Sequence, residues 1–198
     1  MMNVNRGVAL ALLLPTSAAA HHVGGDPTHS AWHALLSGMG HPVIDVAHCL
    51  FIIAMGLLLG ASSGRAGYGI AVFLLATLTG AAVHLTVGAP AMLTLLTALT
   101  IVLAAGLIIT AARWPSGVLL TLAGAAGLVH GLAYAGSILG AHSGAIASYF
   151  AGFTLTQALI LGLAAMLGGY SRRLPTALQN RCRWASGGVI LASGLLVI

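Results

Sequence analysis

Lysine is absent from this 198-residue chain, and only Asp26 and Asp45 carry a negative charge. Charged side chains make up 5% of the sequence, against 59% hydrophobic. A soluble domain of this size needs far more polar cover for its surface. The two cysteines, Cys49 and Cys182, fall near opposite ends of two apolar runs, too far apart to bridge, so both are expected to be free. No glycine-rich phosphate loop with its lysine occurs, so the chain does not hydrolyse ATP by itself. Nothing forms a nucleophile, base and orienting group for hydrolysis, and an enzyme is not expected. The net charge of +5 comes from a few arginines between apolar spans, which membrane orientation explains and nucleic-acid binding does not.

What is present is a series of long apolar runs behind a leader-like start. Residues 1–20 combine Arg6, a short apolar run from Gly7 to Leu14, and the small residues Ser17 to Ala20. That pattern predicts a cleavable signal peptide, since the apolar run is too short to span. Cleavage after Ala19 or Ala20 leaves His21 and His22 beside a free amine, a chelating arrangement for Ni²⁺ or Cu²⁺. Residues 21–41 read as a polar, histidine-containing segment, and residues 42–198 as a six-helix transmembrane domain. The fold class expected is therefore all-α, a polytopic membrane helix bundle. Its spans fall at 42–61, 69–88, 91–112, 116–139, 145–168 and 181–198.

Every arginine after the leader lies in the first, third or fifth connection, the fifth running from Tyr170 to Arg183 and overlapping the start of the sixth span. Arginine marks the cytoplasmic side, so the mature N-terminus is expected in the periplasm of a bacterial inner membrane. Glycines recur at helical spacing, including Gly124, Gly127 and Gly131 in the fourth span and Gly187, Gly188 and Gly194 in the sixth. Close helix packing explains most of them.

The nine histidines take the other side. His21, His22, His29 and His33 precede the spans, and His142 lies in an outer loop. His48, His84 and His130 fall about 9, 6 and 13 Å below the outer ends of their spans, at about 1.5 Å per residue. Gln157 lies about 18 Å into the fifth on the same scale. His41, Asp45 and His48 are spaced i, i+4, i+7 and share one face if the helix is continuous. Pro42 suits a first helical position, which would leave His41 outside the helix and free to bend inward. Tyr134 and Ser137 follow His130 at i+4 and i+7. A lone intramembrane histidine is often only helix glue, whereas three with an aspartate favour one joint site. Imidazole with carboxylate suits Ni²⁺, Co²⁺, Zn²⁺ or Cu²⁺ over Mg²⁺ or Ca²⁺.

Several stretches resemble the HupE/UreJ family of nickel or cobalt permeases. The family's first-span pattern is H-P-x-x-G-x-D-H. Here His41, Pro42 and His48 match, while Asp45 stands at the glycine position and Ala47 at the aspartate. Gly127-Leu128-Val129-His130-Gly131 and Tyr134-Ala135 resemble the G-L-x-H-G-x-x-F-A of one branch. His84, and Phe153 with Gln157 at i, i+4, fit that branch's second and fifth spans. The resemblance covers nearly the whole chain.

It implies a permease carrying Ni²⁺ or Co²⁺ from periplasm to cytoplasm. His21 and His22 would capture the ion, and His41, Asp45, His48, His84 and His130 would hold it. Gln157, Tyr134 and Ser137 would line its path. No cofactor beyond the transported metal is expected. The partners expected are that ion and the lipid bilayer, with a homo-oligomer left open and no nucleic acid. Neutral imidazole is the ligand form, so uptake should weaken below about pH 6, where ordinary histidine takes a proton. Two rivals stand: a b-type haem electron carrier, and a metal-binding sensor or accessory protein that does not transport. Below Gln157 only threonines such as Thr77, Thr97 and Thr121 offer polar groups within the spans.

Overall fold

The computed structural model describes residues 30–62, 64–110 and 114–197. Seven α-helices account for most of them: α1 (Ala31–Ile44), α2 (Val46–Ala61), α3 (Ala66–Val87), α4 (Leu93–Thr110), α5 (Ser116–Tyr134), α6 (Ser143–Ser171) and α7 (Thr176–Leu195). A short 3₁₀ turn, Ala135–Ile138, continues α5. The expected leader, with His21, His22, Asp26 and His29, lies outside the described residues.

Glycine sets how the helices pair. α3 lies along α5, both α1 and α2 lie along α6, and α4 lies along α7. In the first pair a Cβ added at Gly131 would stand 2.0 Å from the Thr77 carbonyl oxygen, and one at Gly80 would stand 2.1 Å from that of Leu128. Gly38 and Gly152 bring α1 against α6, meeting the carbonyls of Tyr149 and Leu35. Gly60 and Gly168 do the same for α2, against Ala165 and Leu57. In hydrocarbon no hydrophobic force drives helices together, so backbone approach through small residues carries the association. Of the fourth-span glycines, Gly127 and Gly131 make such contacts and Gly124 only an ordinary one. Gly187 and Gly194 fit against Ile109 and Ile101 of α4, while Gly188 meets nothing.

Four helical segments are long and apolar enough to cross a membrane: α3, α4, α5 with its 3₁₀ turn, and α6. Their outward faces carry Leu75, Leu99, Leu103, Leu159 and Leu163, all exposed. An apolar outer face of this kind suits lipid.

The six-span expectation changes at both ends. At the start, residues 31–40 are helical rather than loose. The helix runs past Pro42 and breaks at Asp45, where α1 and α2 meet at a bend of 76°. Together α1 and α2 make at most a fifth, broken span. Pro42 lies inside α1 rather than opening a helix, and His41 belongs to the last turn of α1. Proline lacks the N–H that would bond Gly38, which weakens the turn just before the break. α1 buries Ala34, Gly38 and Pro42 on one face and exposes Trp32, Leu36, Met39 and Val43 on another.

At the end, α7 starts at Thr176 rather than at 181 and does not qualify as a span by length and composition. Gln179, Asn180, Arg181 and Arg183 occupy its first half. Only the stretch from Trp184 to Leu195 is apolar, about 18 Å at 1.5 Å per residue, well short of a bilayer core.

Gly131→Ala should lower the thermal unfolding temperature of the purified protein by several degrees, because the new methyl collides with the backbone of α3. Gly188→Ala should leave that temperature unchanged or slightly raised. Equal melting of both variants and wild type would show that the α3–α5 approach does not set stability.

A buried histidine pair beside a broken helix

Asp45 builds one end of the site. Its backbone leaves the helical region (φ −77°, ψ 98°), so it ends α1 and caps α2. The Oδ1 atom accepts the His48 backbone N–H at 3.2 Å. Capping by aspartate is worth about 1 kcal/mol, since a helix start leaves its first N–H groups without partners. The other oxygen, Oδ2, lies 2.8 Å from His48 Nδ1. The contact has ion-pair length without full hydrogen-bond geometry; because a carboxylate only accepts, it favours the imidazole proton on Nδ1. His48 Nε2 is then a bare lone pair, and it is buried without a hydrogen-bond partner.

His130, on α5, is oriented from a different direction. Thr100 of α4 donates its hydroxyl proton to the Thr97 carbonyl at 2.7 Å. The same Oγ1 lies 2.9 Å from His130 Nε2. With its own proton committed, Thr100 must accept, so Nε2 carries the ring proton. That leaves His130 Nδ1 as a second bare lone pair, also buried without a partner. Phe51 stacks on the His130 ring, with centres 3.9 Å apart and planes 7° off parallel. Each imidazole is thus held from behind while its other nitrogen is unengaged. Metal-ligating histidines are prepared in this way.

The two rings meet edge to face, with centres 4.8 Å apart. Tyr134 closes over them, 4.7 Å from His48 and 5.3 Å from His41 between ring centres. His41 enters from the end of α1 and also faces Tyr149 and Phe153 of α6. Tyr134 packs on Phe153 at 4.3 Å. One helical turn further along α6, both amide atoms of Gln157 are buried without a well-formed hydrogen bond, as is the Tyr134 hydroxyl. Ser137 stands apart from the imidazoles: its hydroxyl bonds the Tyr134 carbonyl and lies 2.8 Å from the Tyr149 hydroxyl.

The geometry redraws the expected ligand set. His41, Asp45 and His48 do not share one helical face, because the helix breaks between them. Asp45 acts on the backbone and on His48 rather than pointing both oxygens at a shared ion. His84 does not join the pair: its Nδ1 donates to the Leu132 carbonyl and so ties α3 to α5. Among the described residues no ring contact links it to His48 or His130, and no three His, Cys, Asp or Glu side chains form a ready metal cluster. His142 caps α6, its Nδ1 accepting the Ala145 N–H at 3.2 Å. Cys49 and Cys182 are free.

Thr100 and Phe51 were missed by sequence reasoning. Phe51 follows His48 by three residues, so a shared helical face was readable. Thr100 gave no local signal, because its partner is thirty residues away.

Below the pair the interior turns apolar. Phe51, Ile52, Met55, Leu59, Phe73, Ile101 and Leu161 pack there as one core. Of the threonines expected to line a path, Thr77 and Thr97 bond their own helices, donating to Phe73 and Leu93, and Thr121 is exposed.

The fold and this site define a helical membrane protein in which a buried His130 meets a half-buried His48 that faces an aspartate at a broken helix. The family model described as HupE / UreJ protein matches residues 9–197, nearly the whole chain. The chain belongs to the HupE/UreJ family, which is associated with nickel and cobalt transport. No curated protein and no solved structure matches it.

Asp45→Asn keeps a side chain that caps a helix and removes the charge, whereas Asp45→Ala removes both. The asparagine variant should melt near wild type, and the alanine variant should lose about 1 kcal/mol of stability. Nickel binding by calorimetry should weaken in both. Wild-type nickel affinity in Asp45→Asn would rule out a charge role for this residue.

Proposed function

We propose that this protein is a permease for Ni²⁺ or Co²⁺, moving the ion from the periplasm to the cytoplasm. The observation that carries this reading is the pair of buried, unengaged imidazole nitrogens, His48 Nε2 and His130 Nδ1. A bare lone pair shut away from water is costly unless something binds it. A borderline divalent cation is the partner that imidazole prefers. The Asp45 charge beside His48 offsets part of the cost of bringing a cation into the membrane.

Two imidazoles do not complete a coordination sphere. His41, the Tyr134 hydroxyl and the Gln157 amide oxygen surround the pair and are the candidates to complete it. His84 serves the helix frame in this reading. His21 and His22 remain candidates for first capture at the outer surface.

The inward direction is what the resemblance to the family implies, and charge supports the orientation it needs. Arg65, Arg172, Arg173, Arg181 and Arg183 gather at the end opposite the histidines, which the positive-inside rule makes cytoplasmic. The packed apolar core below the histidines belongs to a state closed toward the cytoplasm. Release then requires that core to open.

A haem carrier is the poorer reading. With the His48 and His130 rings in edge-to-face contact and Phe51 stacked on His130, a macrocycle has no layer to occupy between them. A non-transporting metal sensor would share the same pair, and only flux separates the two.

Cells carrying His48→Ala or His130→Ala should take up at least tenfold less radioactive nickel than wild type, on the order of one lost ligand at ~1.4 kcal/mol or more. His142→Ala should leave uptake unchanged. Wild-type uptake by both site variants would defeat the assignment. Metal binding without flux in proteoliposomes would favour the sensor.

A further inference from the structure

A cavity lies away from the histidines, at the arginine-bearing end. It has a volume of about 640 Å³ and is lined by residues of α2, α4, α5, α6 and α7. That is within the size range of small-molecule sites. Its lining is mixed in chemistry. Leu57, Leu107, Leu119 and Leu167 give it apolar surface, and Arg172, Arg183 and Trp114 give it cationic and hydrogen-bonding groups.

Three facts give this cavity an unmet demand for an anion. First, Asp26 and Asp45 are the only acidic residues of the chain, and Asp45 is engaged by His48 at the far end. Among the described residues no arginine meets a carboxylate. Second, Arg183 is half-buried and its guanidinium donates only to the neutral Asn180 side chain. Third, the indole N–H of Trp114 is buried without an acceptor. Trp114 can only donate, and no described residue supplies it with an acceptor.

The exposed Arg172 and half-buried Arg183 repel a divalent cation, so the cavity is no waiting room for the metal. A phosphate suits them, since guanidinium binds phosphate oxygens in pairs. The leucine surface asks for more than phosphate alone. We propose that this cavity binds an anionic phospholipid, its headgroup phosphate on Arg172, Arg183 and Trp114 and an acyl chain along the leucines. Basic cavities between membrane helices on the cytoplasmic side take anionic headgroups on the same physical grounds. Bound there, the lipid ties the polar start of α7 to the ends of α2 and α6. It also supplies the counter-charge that the sequence withholds.

The test is native mass spectrometry of the full-length protein in detergent, titrated with phosphatidylglycerol or with phosphatidylcholine of identical chains. Wild type should retain phosphatidylglycerol selectively. The double variant Arg172→Gln, Arg183→Gln should bind it about tenfold more weakly or worse. Arg65→Gln, at the same end but outside the cavity, should bind as wild type does and controls for general surface charge. Circular dichroism confirms that each variant is folded, and Arg172→Lys with Arg183→Lys should restore most of the binding if a cation is what matters. Equal retention of both lipids, or an unaffected double variant, would overturn the proposal. So would displacement of phosphatidylglycerol by millimolar inorganic phosphate, which would make the occupant a free anion.

Discussion

The site depends on one carboxylate placed at a break in a helix. Asp45 ends α1, caps α2 through one oxygen and faces His48 through the other. A charge at this depth needs partners, and the arrangement provides a backbone N–H and an imidazole at once. The same placement turns α1 by 76° relative to α2. That turn lets His41 come round toward Tyr134 and Tyr149 while His48 reaches His130. Structure and chemistry are coupled here through a single side chain.

The glycine contacts act as the frame for this arrangement. α3 and α5 approach to backbone contact at Gly80, Gly127 and Gly131, next to His130. Gly38 and Gly152 hold α1 against α6, next to Tyr149 and Phe153. The histidine rings therefore sit between two closely fitted helix pairs. The molecule is chemically divided along its length. Imidazole and carboxylate occupy one end, a dry core the middle, and guanidinium the other end. A cation is favoured at the first and disfavoured at the last.

Much of this was legible as pattern. Runs near twenty apolar residues marked α3, α4, α5 and α6, because a bilayer core imposes that length on any continuous span. The alternation of arginine between connections marked the two ends. His130 between glycines and Gln157 four residues after Phe153 pointed to the buried positions where they are found. The start and the end of the chain were harder for a physical reason. Pro42 and Asp45 are signals for both stopping and starting a helix, and the sequence does not say which helix each one serves. The residues before them, from Trp32 to Gly40, mix polar and apolar types. They become a helix only because α6 offers a surface to their small face. At the other end, α7 carries its arginines inside the helix rather than before it.

By itself the sequence determined a helical membrane protein, the separation of its arginines from its histidines, and the histidines that lie within apolar segments. These follow from length, hydropathy and charge, which are local properties of a chain in a bilayer. Only the tertiary structure decided which histidines belong together. His84 and His130 look alike in sequence, each an imidazole in an apolar helix. One donates to the Leu132 carbonyl and makes no ring contact with the pair, while the other is held by Thr100 and its ring meets that of His48. That difference rests on what each imidazole meets on a neighbouring helix. No spacing along one chain contains that information.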